Sequence, residues 1–216
     1  ELTPESDGII SEENLLNALR DDTFLISIML ANNEIGVIQP VEEIFKICKK
    51  NNIKFHTDAA QCLGYLPNKN FNSLANMITL SSHKIYGPKG VGLLVIDEDI
   101  QLNPLLFGGG QEFGYRSGTI PLPLIIGFSK AIELAIKNQV RNTIQLANHR
   151  DNLMNGLIQN NSKILINGSI INRLPQNLNL TVPDINGSKF HKYIKNQIAC
   201  SSGSACSNGK VSHVLT

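Results

Sequence analysis

The sequence predicts an α/β layer built on a largely parallel sheet, followed by a smaller α+β unit. Three observations carry that expectation. Helix-like and strand-like segments alternate through roughly the first hundred residues with short connections, the pattern of a sheet covered by helices. From about Leu122 to Asn160 the pattern is helical, with no strand candidate for almost forty residues. Short strand signals and one helix then fill the remainder. The boundary is placed at residue 137, which gives units 1–137 and 138–216, and no internal repeat is evident.

Each element has a local reason. Ser11 followed by Glu12-Glu13 reads as a capped helix start running to about Arg20, with acidic groups at the positive end of the helix dipole. Phe24–Leu30 is a short apolar run suited to a buried strand. Pro40 opens the next helix. Val41, Ile44, Phe45 and Cys48 then recur on one face, and Lys49-Lys50 close it. Ile53–Thr57, Met77–Leu80 and Val91–Ile96 read as further strands, with room for one antiparallel pair among them. Residues 101–119 are loop-like and rich in glycine. After the long helix, Ile164–Ile166, Leu178–Val182 and Gln197–Ser201 read as strands, and Ser188–Lys195 as a helix.

Composition excludes several classes. The chain has 216 residues, 42% hydrophobic and 17% charged, with a net charge of +1. That balance argues against a nucleic-acid or polybasic membrane binder, and the apolar content argues against disorder. No apolar run approaches the ~18 residues of a membrane span. Four cysteines, at positions 48, 62, 200 and 206, make no secreted disulfide framework in a chain of this length, so a reduced, cytoplasmic setting is expected. The spacing of Cys200 and Cys206 misses the usual zinc pairings, so no metal site is expected. The chain starts on Glu1 and stops within an apolar pattern at Thr216, which reads as an internal piece of a longer protein.

Four places crowd polar groups at strand ends or in glycine-rich loops. They are Asn32-Asn33-Glu34, Asp58-Ala59-Ala60-Gln61, Ser81-Ser82-His83-Lys84, and Ser201-Ser202-Gly203-Ser204-Ala205-Cys206. Singly each has a plainer reading: an Asn-Asn turn is usually only a turn, an Asp after a strand is usually a helix cap, and a loop lysine is usually solvated. Together they have a chemical sense. A lysine flanked by Ser and His can form a Schiff base with an aldehyde cofactor while its neighbours hold a phosphate. Pyridoxal phosphate also needs an acid at its pyridinium nitrogen and polar contact to its ring oxygen. Asp58 offers the carboxylate, Gln61 the amide, and Ser81 and His83 the phosphate donors. Gly108-Gly109-Gly110 opens no helix and does not make a dinucleotide loop.

At this point the sequence resembles a known family. The stretches Asn32-Asn33-Glu34-Ile35-Gly36, His56-Thr57-Asp58-Ala59-Ala60-Gln61, Ser82-His83-Lys84-Ile85-Tyr86-Gly87-Pro88-Lys89-Gly90, Arg116-Ser117-Gly118-Thr119 and Ser201-Ser202-Gly203-Ser204-Ala205-Cys206 are similar to those of cysteine desulfurases. These belong to the class V aminotransferase superfamily of fold type I pyridoxal phosphate enzymes. The motif order matches, as does the separation of 26 positions between Asp58 and Lys84. The chain lacks the Arg-x-Gly-His-His-Cys-Ala pattern of one branch, and so resembles the branch serving iron–sulfur cluster assembly and sulfur transfer to tRNA and cofactors.

The resemblance implies a role for each matched position. Lys84 is the Schiff-base lysine and proton shuttle, and Asp58 pairs with the pyridinium nitrogen. Gln61 reaches the ring oxygen, Asn33 lies near that oxygen and the substrate carboxylate, and Ser81 and His83 bind the phosphate. Thr119 reaches the phosphate across a homodimer interface, so the Arg116–Thr119 loop lies near the partner subunit's active site. Cys206 is the nucleophile that takes sulfur from L-cysteine as a persulfide, leaving alanine, and hands it to a sulfur-acceptor or iron–sulfur scaffold protein. Cys206, Lys84 and His83 are thus the catalytic candidates. In a eukaryote an organelle of bacterial origin is an alternative compartment. Cys48 reads as packing, Cys62 as filler behind Asp58, and Cys200 as a core or bystander residue.

Other readings remain open at the sequence level. A selenocysteine lyase or a kynureninase-like hydrolase would share the cofactor motifs, and a non-catalytic homologue could keep them without chemistry. The resemblance also implies groups absent from these 216 residues: a histidine stacked on the cofactor ring and a phosphate-cup hydroxyl before Glu1, and a substrate-carboxylate arginine, which is not Arg116, after Thr216.

Overall fold

The computed structural model describes residues 1–66, 71–201 and 214–215. It divides into two units, one made of Arg20–Leu30 with Val41–Val140, the other of Glu1–Leu19, Ala31–Pro40 and the described residues from Arg141 onward.

The first unit is a four-stranded sheet with helices. Its strands are β1 (Leu25–Met29), β2 (Lys54–Asp58), β3 (Met77–Ser81) and β4 (Gly92–Ile96), in that spatial order. β1–β2 and β2–β3 are parallel, and β3–β4 is antiparallel. Strand alternation sends Phe55 and Thr57 of β2 into the core, both fully buried, and leaves Lys54, His56 and Asp58 on the other face. Helix α2 (Val41–Lys50) buries the four predicted residues, Val41, Ile44, Phe45 and Cys48. Its Phe45 ring stacks at a tilt on Phe55, with centroids 6.0 Å apart, and Lys49 lies over the same ring at 4.0 Å. Burying Phe55 contributes about 1.5–3 kcal/mol by apolar transfer, with a further ~1 kcal/mol from the ring pair. The early part of the 39-residue helix α3 (Leu122–Asn160) also belongs here, with Phe128 and Ala131 buried.

The second unit is smaller in secondary structure. Helix α1 (Glu12–Ala18) begins as expected at Ser11, whose Oγ accepts the Asn14 N–H at 3.2 Å. The later part of α3, a two-residue antiparallel pair β5 (Leu165–Ile166) with β6 (Leu180–Thr181), and helix α4 (Gly187–Ile194) complete it. Asn186 caps α4 by accepting the Lys189 N–H.

The α/β class with a mainly parallel sheet is therefore the one found. The strand expected over Gln197–Ser201 does not form. The Gln197 and Ile198 amides both donate back to the Ile194 carbonyl, at 2.7 and 3.0 Å, so they extend the turn that ends α4 instead of pairing with a strand. No helix among the described residues is long and apolar enough to cross a membrane.

Candidate active site

Three strand ends make the scaffold. β1, β2 and β3 run in the same direction, so their carboxyl ends share one edge of the sheet, where open α/β sheets take their ligands. Asp58 ends β2 between Met29 of β1 and Thr79 of β3 in the register. Its half-buried carboxylate accepts the Ala60 N–H at 2.8 Å, turning the chain out of the strand. Gln61 follows in the same turn, half-buried.

Ser81 ends β3, two residues beyond the neighbour of Asp58. A single 3-10 turn, Ser82–Ile85, follows. Ser82 and Ile85 are buried anchors, and the two residues between them, His83 and Lys84, are exposed. Ser81 Oγ and His83 Nδ1 share a hydrogen bond of 2.9 Å. The turn ends at Tyr86, which takes the left-handed conformation (φ 64°). Asp58, Gln61, Ser81, His83 and Lys84 thus lie on two successive strand-end loops of one unit.

Small residues seat both loops on α3. Gly64, after Asp58, approaches Ala135 so closely that a Cβ would sit 3.0 Å from its methyl group. Gly87, after Lys84, stands over Ala131, and Gly127 lies beneath Pro88. Gly127, Ala131 and Ala135 recur every four residues, on one face of the helix. Larger side chains there would lift the loops that carry the cofactor candidates.

His56 was not singled out in the sequence, although it lies two residues before Asp58 and strand alternation puts both on one face. It bridges three strands: Nδ1 is 2.7 Å from Ser27 Oγ on β1, and Nε2 is 2.8 Å from Thr79 Oγ1 on β3. Burial lowers its pKa below the ordinary value, partly opposed by the Asp58 charge. Burial also pushes the Cys62 thiol strongly up, with the Asp58 charge adding to it, and raises Cys48 to about 11. Both thiols are fully buried, as packing residues should be. Cys200 is exposed, which removes the core half of its reading, and its carbonyl hydrogen-bonds His191 Nε2 at 2.7 Å. The Tyr65 hydroxyl rises to about 12 through burial and its hydrogen bond with Tyr86.

The remaining candidates lie on other segments of the chain. Thr119 and Arg116 are exposed on a loop of the same unit, closed on itself by Gly118 N–H to Gln111 Oε1 (2.9 Å) and Ser117 N–H to the Leu106 carbonyl (3.3 Å). Asn33 is an exposed residue of the second unit, in a turn bridged by Ala31 and Ile38. Asn32 Oδ1 shapes that turn by accepting the Glu34 and Ile35 amides at 2.8 and 3.0 Å. Cys206 lies outside the described residues. No group of acidic, His or Cys side chains suited to a metal occurs among the described residues.

The aminotransferase class-V family profile matches residues 1–215. The chain belongs to that family. Among curated relatives it is 43% identical over 218 residues to the mitochondrial cysteine desulfurase of Arabidopsis thaliana, covering 99% of this chain and 48% of that protein. It is 42% identical over 215 residues to the cysteine desulfurase IscS of Rickettsia prowazekii, covering 98% of this chain and 52% of that protein. Among solved structures, a NifS-like protein superposes with a TM-score of 0.85 at 36% identity, over 90% of this chain and 53% of that one. The chain spans about half the length of the curated relatives it matches.

Proposed function

We propose that the protein is a pyridoxal phosphate-dependent cysteine desulfurase, with 1–137 contributing to a large cofactor domain and 138–216 to a small domain that carries the cysteine loop. The observation that carries this is the meeting of one carboxylate, Asp58, with the Ser81-x-His83-Lys84 turn at the ends of neighbouring parallel strands. The donor set fits the cofactor: a carboxylate for a pyridinium, an amide for a ring oxygen, a hydroxyl and an imidazole for a phosphate, and an exposed amine on a short, anchored turn. The names of the curated relatives point to the same activity.

Bound there, pyridoxal phosphate supplies an aldehyde conjugated to a ring that withdraws electrons from the amino acid condensed with it. In this reading Lys84 holds the cofactor at rest and moves protons during turnover. Asp58 keeps a proton at the pyridine nitrogen, Gln61 and Asn33 orient the ring oxygen, and Ser81 and His83 donate to the phosphate. Thr119 reaches the phosphate of a partner subunit. The exposed Leu105, Phe107 and Phe113 near that loop are apolar surface of the kind a homodimer would cover. The Cys206 thiolate attacks the sulfur of L-cysteine. An S–S bond forms, the carbon–sulfur bond breaks, and its electron pair takes up a proton at the carbon that leaves as alanine. The persulfide then passes to a sulfur-acceptor or iron–sulfur scaffold protein in the cytoplasm or in an organelle of bacterial origin.

The test uses the full-length protein reconstituted with pyridoxal phosphate. Borohydride should bleach the visible band and fix the cofactor on the peptide containing Lys84. L-Cysteine should yield alanine and, with reductant, sulfide, and Cys206→Ala should abolish the sulfide. A colourless protein would reject the enzyme reading; unchanged sulfide from Cys206→Ala would reject the persulfide step.

A further inference from the structure

We infer that Arg173, Asn177 and Asn179 form a clamp that positions Asn33 for the cofactor and substrate. The inference rests on the reading of Asn33 above. All the residues involved belong to the second unit.

The clamp closes on one atom, the carbonyl oxygen of Glu34, next in the chain to Asn33. Asn177 Nδ2 donates to it at 2.9 Å and Asn179 Nδ2 at 3.1 Å, so two amide donors share one carbonyl oxygen. Both amides are held the right way round. Arg173 Nη1 donates to Asn177 Oδ1 at 3.1 Å, and Asn167 Nδ2 donates to Asn179 Oδ1 at 2.7 Å. With each amide oxygen taken, each NH2 group is left to face Glu34.

Arg173 is itself fixed. It is only 6% exposed, its Nε donates to the Ser169 carbonyl at 2.9 Å, and Nη2 donates to the Asn167 carbonyl. A planar fork with several donors suits three oxygens at set angles, which a lysine ammonium does not. The backbone makes a second layer: Val37 bridges Arg173, Leu174 N–H donates to the Gly36 carbonyl at 2.8 Å, and Ile38 N–H donates to the Asn172 carbonyl at 2.9 Å. Gly36 makes room for this. Its φ is +71°, and a Cβ there would lie 2.4 Å from Asn177 Cγ. The peptide after Asn33 is therefore held by side chains more than 140 residues away in sequence.

The test is a double-mutant cycle in the full-length holoenzyme, with Asn33→Ala, Asn177→Ala and Arg173→Lys singly and Asn177→Ala or Arg173→Lys on the Asn33→Ala background. The readouts are KM and kcat for L-cysteine and the absorption maximum of the bound cofactor. Asn177→Ala and Arg173→Lys should each raise KM at least fivefold and shift the band in the direction that Asn33→Ala does. On the Asn33→Ala background those effects should vanish, because residues acting through one group are not additive. A merely structural role would instead give effects that persist there in full, and that result overturns the clamp. A silent Asn33→Ala overturns the assignment of Asn33, and the clamp's purpose with it. Should Arg173→Lys fail to fold, Asn177→Ala carries the test with its charge unchanged. In the cofactor-free protein the amides of Glu34, Ile35 and Gly36 should exchange hydrogen at least tenfold faster in Asn177→Ala, and unchanged exchange there also overturns the clamp.

Discussion

Gly87→Ala should destabilise the turn that presents Lys84, and Ser82→Ala should rescue it. Gly87 has no positive φ, so the effect is steric rather than conformational. A Cβ at this position would lie 2.2 Å from Ser82 Oγ, 3.0 Å from Ala131 Cβ and 3.1 Å from the Ser82 carbonyl oxygen. The first contact is short of van der Waals separation by about 1 Å or more. Ser82 is fully buried and cannot simply swing away. Overpacking of this kind costs ~1–3 kcal/mol, and the severity of the contact places Gly87→Ala near 2 kcal/mol. Ser82 Oγ has no hydrogen-bond partner among the described residues. An unsatisfied buried hydroxyl costs ~1–3 kcal/mol, so Ser82→Ala alone should be stabilising by about 1 kcal/mol. The double variant loses the worst contact but keeps those with Ala131 and the Ser82 carbonyl, and should be at least as stable as the parent, clearly above the deficit of about 1 kcal/mol that simple addition of the two singles gives. Urea unfolding reads this directly: with m near 2 kcal/mol per M, Gly87→Ala lowers the midpoint by roughly 1 M. A Gly87→Ala protein as stable as the parent, or a double variant equal to the sum of its singles, would refute the contact as the cause.

Two further outcomes follow from the titrating groups. The fold lowers the pKa of His56, so its contribution to stability is present above its unfolded pKa of about 6.5 and is lost as pH falls through the folded value. The stability difference between the parent and His56→Gln should therefore shrink on going from pH 7.5 to 5, no more steeply than the ~1.4 kcal/mol per pH unit of one proton; a difference that grows in acid would contradict the assignment. Brief alkylation of the native protein at pH 8, followed by peptide mass spectrometry, should modify exposed Cys200 and spare Cys48 and Cys62, whose thiols are buried and raised in pKa. Labelling of Cys48 or Cys62 at the rate of Cys200 would show that these sites open.

Local chemistry made much of the fold and part of the site legible. The i, i+3, i+4, i+7 spacing of Val41, Ile44, Phe45 and Cys48 named the four residues that α2 buries, because helix periodicity alone decides which side chains share a face. The limits of α3 were equally readable. Asp58 and Ser81-x-His83-Lys84 stood out because each follows a strand-like segment, and parallel strands necessarily present their carboxyl ends together. Short apolar runs do not specify direction, however. Val91–Ile96 could have joined the sheet either way, and its antiparallel pairing with β3 is a tertiary outcome. Gln197–Ser201 looked like a strand, yet a strand exists only where a neighbour offers its edge, and the helix end claimed the amides first.

The sequence by itself determined the kind of residues at the site, their order, and the helices and strands that carry them, since all of these depend on neighbours within a few positions. Only the tertiary structure decided what holds them. His56 joins Ser27 and Thr79 across three strands, and Asn177 and Asn179 reach back to the carbonyl of Glu34. Those partners lie from about twenty to more than one hundred residues apart, and their hydrogen bonds exist only after the chain has folded. No local pattern distinguishes an asparagine aimed at a distant carbonyl from one facing water.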